Sequence, residues 1–154
     1  MKTLVLGLGN ELIADDAVGI FAARELKNRI GDKADVIETS LHGVALMEFF
    51  IGYDRAIIVD AIRTGVHPPG TIMEFDSSEL VGVFSPSPHY SGLSEIFILA
   101  REMELEFPSE VTIVAVEAED VLTIGGGMTE AVRAAFPELL ERVENLIKNE
   151  SHQN

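Results

Sequence analysis

Ala56-Ile57-Ile58-Val59-Asp60 is the stretch that decides the architecture. Unbroken apolar residues without alternation describe a strand covered on both faces, the habit of a parallel sheet lying between helices. Asp60 closes the run. Upstream, Leu4-Val5-Leu6 is a second short apolar run ending at Gly7, and Gly7-Leu8-Gly9-Asn10 is turn material. Asp15 and Asp16 then precede a helical stripe of Val18, Phe21, Ala22, Leu26 and Ile30, closed by Gly31. Val36 and Ile37 mark another short strand, and a helix is expected over about 44–51.

Downstream, His67-Pro68-Pro69-Gly70 is a turn, and 71–75 alternate as a strand with polar Glu74 at an exposed face or sheet edge. The hairpin-like link lets this fourth strand run antiparallel at an edge. Pro86 and Pro88 make Ser85-Pro86-Ser87-Pro88-His89 a loop. A helix over about 91–104 buries Leu93, Ile96, Phe97 and Ala100, and 111–116 form another buried strand. Gly125-Gly126-Gly127 breaks the chain before a helix over 129–148, which Pro137 is expected to kink or divide. The succession predicts an α/β sandwich with a mostly parallel sheet and helices on both faces.

The 154 residues suit a single domain over 1–148 with a polar tail over 149–154. The formal charge of -15 leaves no basic patch for phosphates, which argues against nucleic acid as a partner. Cysteine is absent, so any metal must be held by oxygen and imidazole. The first residues read as a strand rather than a signal peptide. No segment supplies the ~18 apolar residues that a membrane helix needs. A soluble, cytoplasmic protein without a membrane partner is expected.

In open α/β sheets, ligands bind beyond the carboxyl ends of the strands. Asp16 lies in the loop after the first strand and Asp60 ends the third, so neighbouring strands would turn both carboxylates toward one crevice. His89, on the proline-fixed loop before a helix, would close over it. Two carboxylates and an imidazole suit a divalent ion such as nickel, zinc or manganese. Each residue also has a plainer role open to it: Asp16 as a helix cap, Asp60 as a strand terminus, His89 as an exposed loop histidine. Gly7-Leu8-Gly9 begins like a dinucleotide fingerprint, but Leu12 stands where the third glycine belongs. Phosphate-loop, H-E-x-x-H and G-x-S-x-G motifs are absent. The glycine triplet reads as a turn, with an anion cradle or a close peptide approach as alternatives.

Leu4-Val5-Leu6-Gly7-Leu8-Gly9-Asn10 followed by Asp15-Asp16-Ala17-Val18-Gly19 resembles the start of the hydrogenase maturation endopeptidases. The resemblance continues through Ile57-Ile58-Val59-Asp60-Ala61, Pro69-Gly70-Thr71, Ser87-Pro88-His89 and Gly92-Leu93, in order over nearly the whole chain. It implies a three-layer sandwich around a five-stranded twisted sheet. It also implies removal of the C-terminal extension from a nickel-iron hydrogenase large-subunit precursor after nickel insertion. The implied metal-binding positions are Asp16, Asp60 and His89, with Asp16 or Asp60 in the catalytic role. The metal would be nickel supplied by the precursor, and cadmium or zinc are possible substitutes. Two departures stand out. Asp16 sits where the family often has glutamate, and Glu38-Thr39-Ser40-Leu41-His42-Gly43 replaces a frequent Asp-Gly-Gly segment. His42 is thereby a candidate extra ligand or proton carrier. A non-catalytic nickel carrier or checkpoint protein would use the same three ligands, and a small nucleotide- or sugar-binding domain would use Gly7 and Gly9.

Overall fold

The computed structural model describes residues 1–76 and 93–151. Its strands are β1 (Thr3–Leu8), β2 (Asp35–Thr39), β3 (Arg55–Ile62), β4 (Ile72–Asp76) and β5 (Glu110–Glu117). Its helices are α1 (Val18–Ile30), α2 (Met47–Phe50), α3 (Leu93–Glu102) and α4 (Glu130–Ser151). They form one five-stranded sheet in the order β2-β1-β3-β5-β4. Neighbours are parallel except β4, which runs antiparallel to β5 at the edge.

β3 is buried along its whole length, as its unbroken apolar run predicts. Alternate residues of each strand serve opposite cores. Val5, Ile57, Val59, Val114 and Val116 pack with Val18, Ala22 and Leu26 of α1 and with Leu139 and Val143 of α4. Leu4, Leu6, Leu8, Ile58 and Ile62 pack on the other face with Leu46, Phe50 and Ile96. On that second face the rings of Phe50, Phe97 and Phe107 meet with centroids 5.5–5.7 Å apart, joining α2, α3 and the loop before β5. Favourable aromatic pairs of this kind add about 0.5–1.5 kcal/mol each beyond burial.

Several boundaries differ from the sequence expectation. Asp15 and Asp16 lie in a 3-10 turn, Ala14–Ala17, that leads into α1. The second helix is largely a 3-10 turn, Gly43–Leu46, followed by the single turn of α2. Asp60 does not end β3: the strand continues to Ile62 because Ala61 and Ile62 still pair with Val116 and Glu117. Pro137 does not divide the last helix, which runs as one element to Ser151 and so continues past the expected boundary at 148. A proline costs a helix one internal bond, and the apolar stripe of Val132, Leu139, Leu140, Val143 and Ile147 buried against the sheet offsets that loss.

From β1 the chain crosses to β2 on one side, and from β2 it returns to β3 on the other. The switch in strand order therefore falls between β1 and β3. α3 leads through a short loop to the start of β5, and that loop is tied to the start of β3 by Gly52 N–H donating to Glu106 O and Ser109 N–H to Asp54 O. α3 also packs against the Gly43–Leu46 turn that follows β2. It thus runs opposite to β5, with its first turn toward the carboxyl ends of the parallel strands.

Candidate functional site

The rim beyond β1 is built by close backbone approach. A Cβ on Gly19 would lie 2.1 Å from Leu8 O and 2.6 Å from Val59 O, so only glycine lets α1 begin directly over β1 and β3. A Cβ on Gly9 would lie 2.0 Å from Asp16 O, and Asn10 N–H donates to that same oxygen at 3.1 Å. The G-x-G-N sequence thus serves to press the loop against the turn carrying Asp16. The same turn packs against β3.

Asp15 and Asp16 divide their roles. Asp15 is fully buried. Its carboxylate accepts the N–H groups of Glu119 (2.9 Å), Asp120 (3.0 Å) and Thr129 (2.7 Å), and the Thr129 hydroxyl as well. It therefore occupies the anion position at the start of α4, so the glycine triplet before that helix is not an open anion cradle there. Asp15 thereby serves a helix-capping role, at the start of α4. Asp16 is half-buried on the rim. Immediately before the pair, Ala14 holds a positive φ of 26°, a costly conformation for a residue with a Cβ. It is held by the Ile13–Ile124 bridge and by Asp15 N–H donating to Asp120 O.

Asp60 is fully buried in β3 on the α2/α3 face. Its Oδ1 accepts Ala61 N–H at 2.8 Å. Its strand partner is Ala115. Burying a carboxylate costs several kcal/mol unless hydrogen bonds or a cation offset it. Glu117 lies on the same face, in register with Ile62. It is also buried, and it accepts the N–H groups of Thr64 (2.9 Å) and Gly65 (3.3 Å) and the Thr64 hydroxyl. Glu117 fixes the loop after β3 and was not foreseen. The signal was present: like Asp60, it is a carboxylate following an apolar run, Val111 to Val116.

Two of the three expected ligands, Asp16 and Asp60, thus come from the elements that flank the β1/β3 switch. The third, His89, lies outside the described residues. Among the described residues, no group of three histidine or acidic side chains is placed to hold a metal. His42 is exposed beyond the end of β2, just before the Gly43–Leu46 turn.

Beside the Asp16 turn a groove of about 450 Å³ is lined by Gly9, Asn10, Glu11 and Leu12, by Ile20 and Arg24 of α1, and by Glu38, Thr39 and Ser40. Arg24 clamps it, donating in bidentate fashion to Glu38 (2.9 and 3.1 Å) and to Glu11 (2.9 Å). The hydrogen bond and charge of Arg24 hold the Glu11 carboxyl below its ordinary range. Across the rim, the Asp120 carboxyl is also held low, by the Thr123 hydroxyl first and then by the N–H groups of Leu122 and Thr123.

Comparison with known proteins agrees with this geometry. A family model described as hydrogenase maturation protease matches residues 20–146, a span that contains Asp60 and His89 and begins after Asp16. The hydrogenase 2 maturation protease of Escherichia coli K12 is 33% identical over 147 residues, covering 93% of this chain and 88% of that protein. The solved hydrogenase maturating endopeptidase HybD from E. coli superposes with a TM-score of 0.84 at 29% identity, covering 97% of this chain and 94% of the other. The [NiFe] hydrogenase maturation protease HybD from Thermococcus kodakarensis gives 0.79 at 26% identity, covering 96% and 99%. With this fold, this rim and these relatives, the chain belongs to the hydrogenase maturation protease family.

Proposed function

We propose that this chain is the endopeptidase that removes the C-terminal extension of a nickel-iron hydrogenase large-subunit precursor once nickel is inserted, with Asp16, Asp60 and His89 engaging the precursor's nickel. The observation that carries the reading is the buried Asp60 carboxylate in β3, the strand against which the Asp16 turn packs at the switch between β1 and β3. Carboxylate oxygen and imidazole nitrogen suit nickel, zinc or cadmium, and the cysteine-free sequence offers no competing thiolate. The course of α3 supports His89 as the third group, since its first turn, four residues beyond His89, points toward the same rim.

Nickel here is part of the substrate. A precursor that carries it gains three ligands from the enzyme, and an empty precursor gains none, so selection follows from differential affinity. Held against the metal, the scissile peptide lies within reach of Asp16 or Asp60. Either carboxylate then serves as general base toward the attacking water, or the precursor's nickel polarises the carbonyl. Glu117 and Asp15 keep their hydrogen-bonded roles as anchors of the rim. No described helix is long and apolar enough to cross a membrane.

The test is incubation of nickel-loaded and nickel-free precursor with the wild type and with Asp16→Ala, Asp60→Ala and His89→Ala, followed by mass measurement. Loaded precursor should lose a C-terminal peptide with the wild type alone. An unchanged precursor mass with the wild type would make the chain a binding protein. Wild-type rates in all three variants would overturn the residue assignment.

A further inference from the structure

We propose that the paired loops 10–14 and 119–125 are a docking platform for an extended, apolar segment of the precursor polypeptide next to its scissile bond. This inference rests on the processing activity proposed above. Leu12, Leu122 and Ile124 are 65%, 78% and 79% exposed on these loops. They are not loose. Ile13 bridges Ile124 in antiparallel fashion, and Gly125 N–H donates to Leu12 O at 2.9 Å. Below the bridge, Asp15 spends its buried carboxylate on the 119–120 backbone, and Asp120 fixes Leu122 and Thr123. Three large apolar side chains exposed on one bridged, hydrogen-bonded pair of loops suit an interaction surface.

The occupant follows from position and charge. The platform is continuous with the turn that carries Asp16, two residues beyond Ala14, so what lies on it also meets the site. A second copy of the chain would bring another -15 of charge against loops that themselves carry Glu11, Glu119 and Asp120. A neutral or cationic polypeptide segment meets no such repulsion. Gly125 and Gly126 at the platform's end leave open space where side chains would stand, which admits a peptide backbone closely.

The test is steady-state cleavage of nickel-loaded precursor by Leu122→Ser, Ile124→Ser and Leu122→Met, with direct measurement of precursor affinity and of sedimentation beside it. Either serine variant should raise KM on the order of tenfold with kcat retained, because one large apolar side chain no longer leaves water on docking. Leu122→Met should behave as wild type. Unchanged KM and affinity in both serine variants would overturn the platform. So would wild-type self-association that Leu122→Ser abolishes without affecting KM. If the wild type binds precursor without cutting it while Leu122→Ser binds more weakly, the processing reading fails and the platform stands.

Discussion

The Asp15 carboxylate accepts the Thr129 N–H at 2.7 Å, across 114 positions of sequence. One side chain thereby ties the turn after β1 to the start of α4, and the loop between β5 and α4 to both. Hydrogen bonds to a charged acceptor contribute about 1.5–3 kcal/mol each, and truncation would strand three backbone donors. Asp15→Ala should therefore lower the unfolding free energy by about 3–5 kcal/mol, measured by urea denaturation. Asp15→Asn should lose less, since its remaining carbonyl oxygen still accepts. An Asp15→Ala variant of wild-type stability would show that these bonds are replaced by water at no cost.

Gly19 offers a separate lever on the same rim. A methyl group there has to displace the Leu8 and Val59 carbonyls or lift α1 away from β1. Gly19→Ala would ordinarily stabilise a helix by up to about 1 kcal/mol. Here overpacking should reverse the sign and cost about 3 kcal/mol or more. Thermal unfolding checks this directly. A rise in Tm would mean that the backbone contact is slack.

Most of the architecture was legible because it follows from periodicity. The run Ala56 to Val59 read as a doubly covered strand, and Pro68 to Gly70 allowed the reversal that sets β4 antiparallel. What escaped was long-range. Nothing near Asp15 in sequence says that its partners are Glu119, Asp120 and Thr129, so Asp15 and Asp16 read as one acidic pair when one is an anchor and the other faces the rim. Glu117 was missed because its partners, Thr64 and Gly65, lie across a strand pairing. The division that Pro137 offered as one alternative did not occur, because the apolar stripe that holds α4 to the sheet outweighs local propensity. The placement of His89 lies outside the described residues, so its share of the site rests on sequence.

Asp60 permits function to be separated from stability. Asn keeps the shape of the side chain and an acceptor for Ala61 N–H while removing the charge. Asp60→Asn should unfold within about 1 kcal/mol of the wild type, because the lost charge also removes a desolvation cost. Cleavage of loaded precursor should fall on the order of 10²-fold or more, the usual loss of a charged acid-base or metal-facing group. Full activity in a folded Asp60→Asn would exclude the carboxylate from the reaction.

Tyr53 reports on the opposite end of the sheet, by the start of β3. Its hydroxyl donates to Asp35 Oδ2 at 2.8 Å, and Lys2 Nζ lies 4.9 Å from its ring centroid. Burial first, and the Asp35 carboxylate second, push the phenol up to about 12 from an ordinary 10.0. The folded state therefore holds this proton more tightly than the unfolded chain does. Its contribution to stability is fully present below pH 10.0 and is lost as pH rises through about 12. Tyrosinate absorbance, followed on a Tyr90→Phe background, should show this late ionisation, and Tyr53→Phe should abolish it. Asp35→Asn should bring the titration down only part of the way, since burial, the larger cause, remains. Ionisation of Tyr53 at the ordinary 10.0 would mean that the hydroxyl is open to water and the bond to Asp35 is not formed in solution.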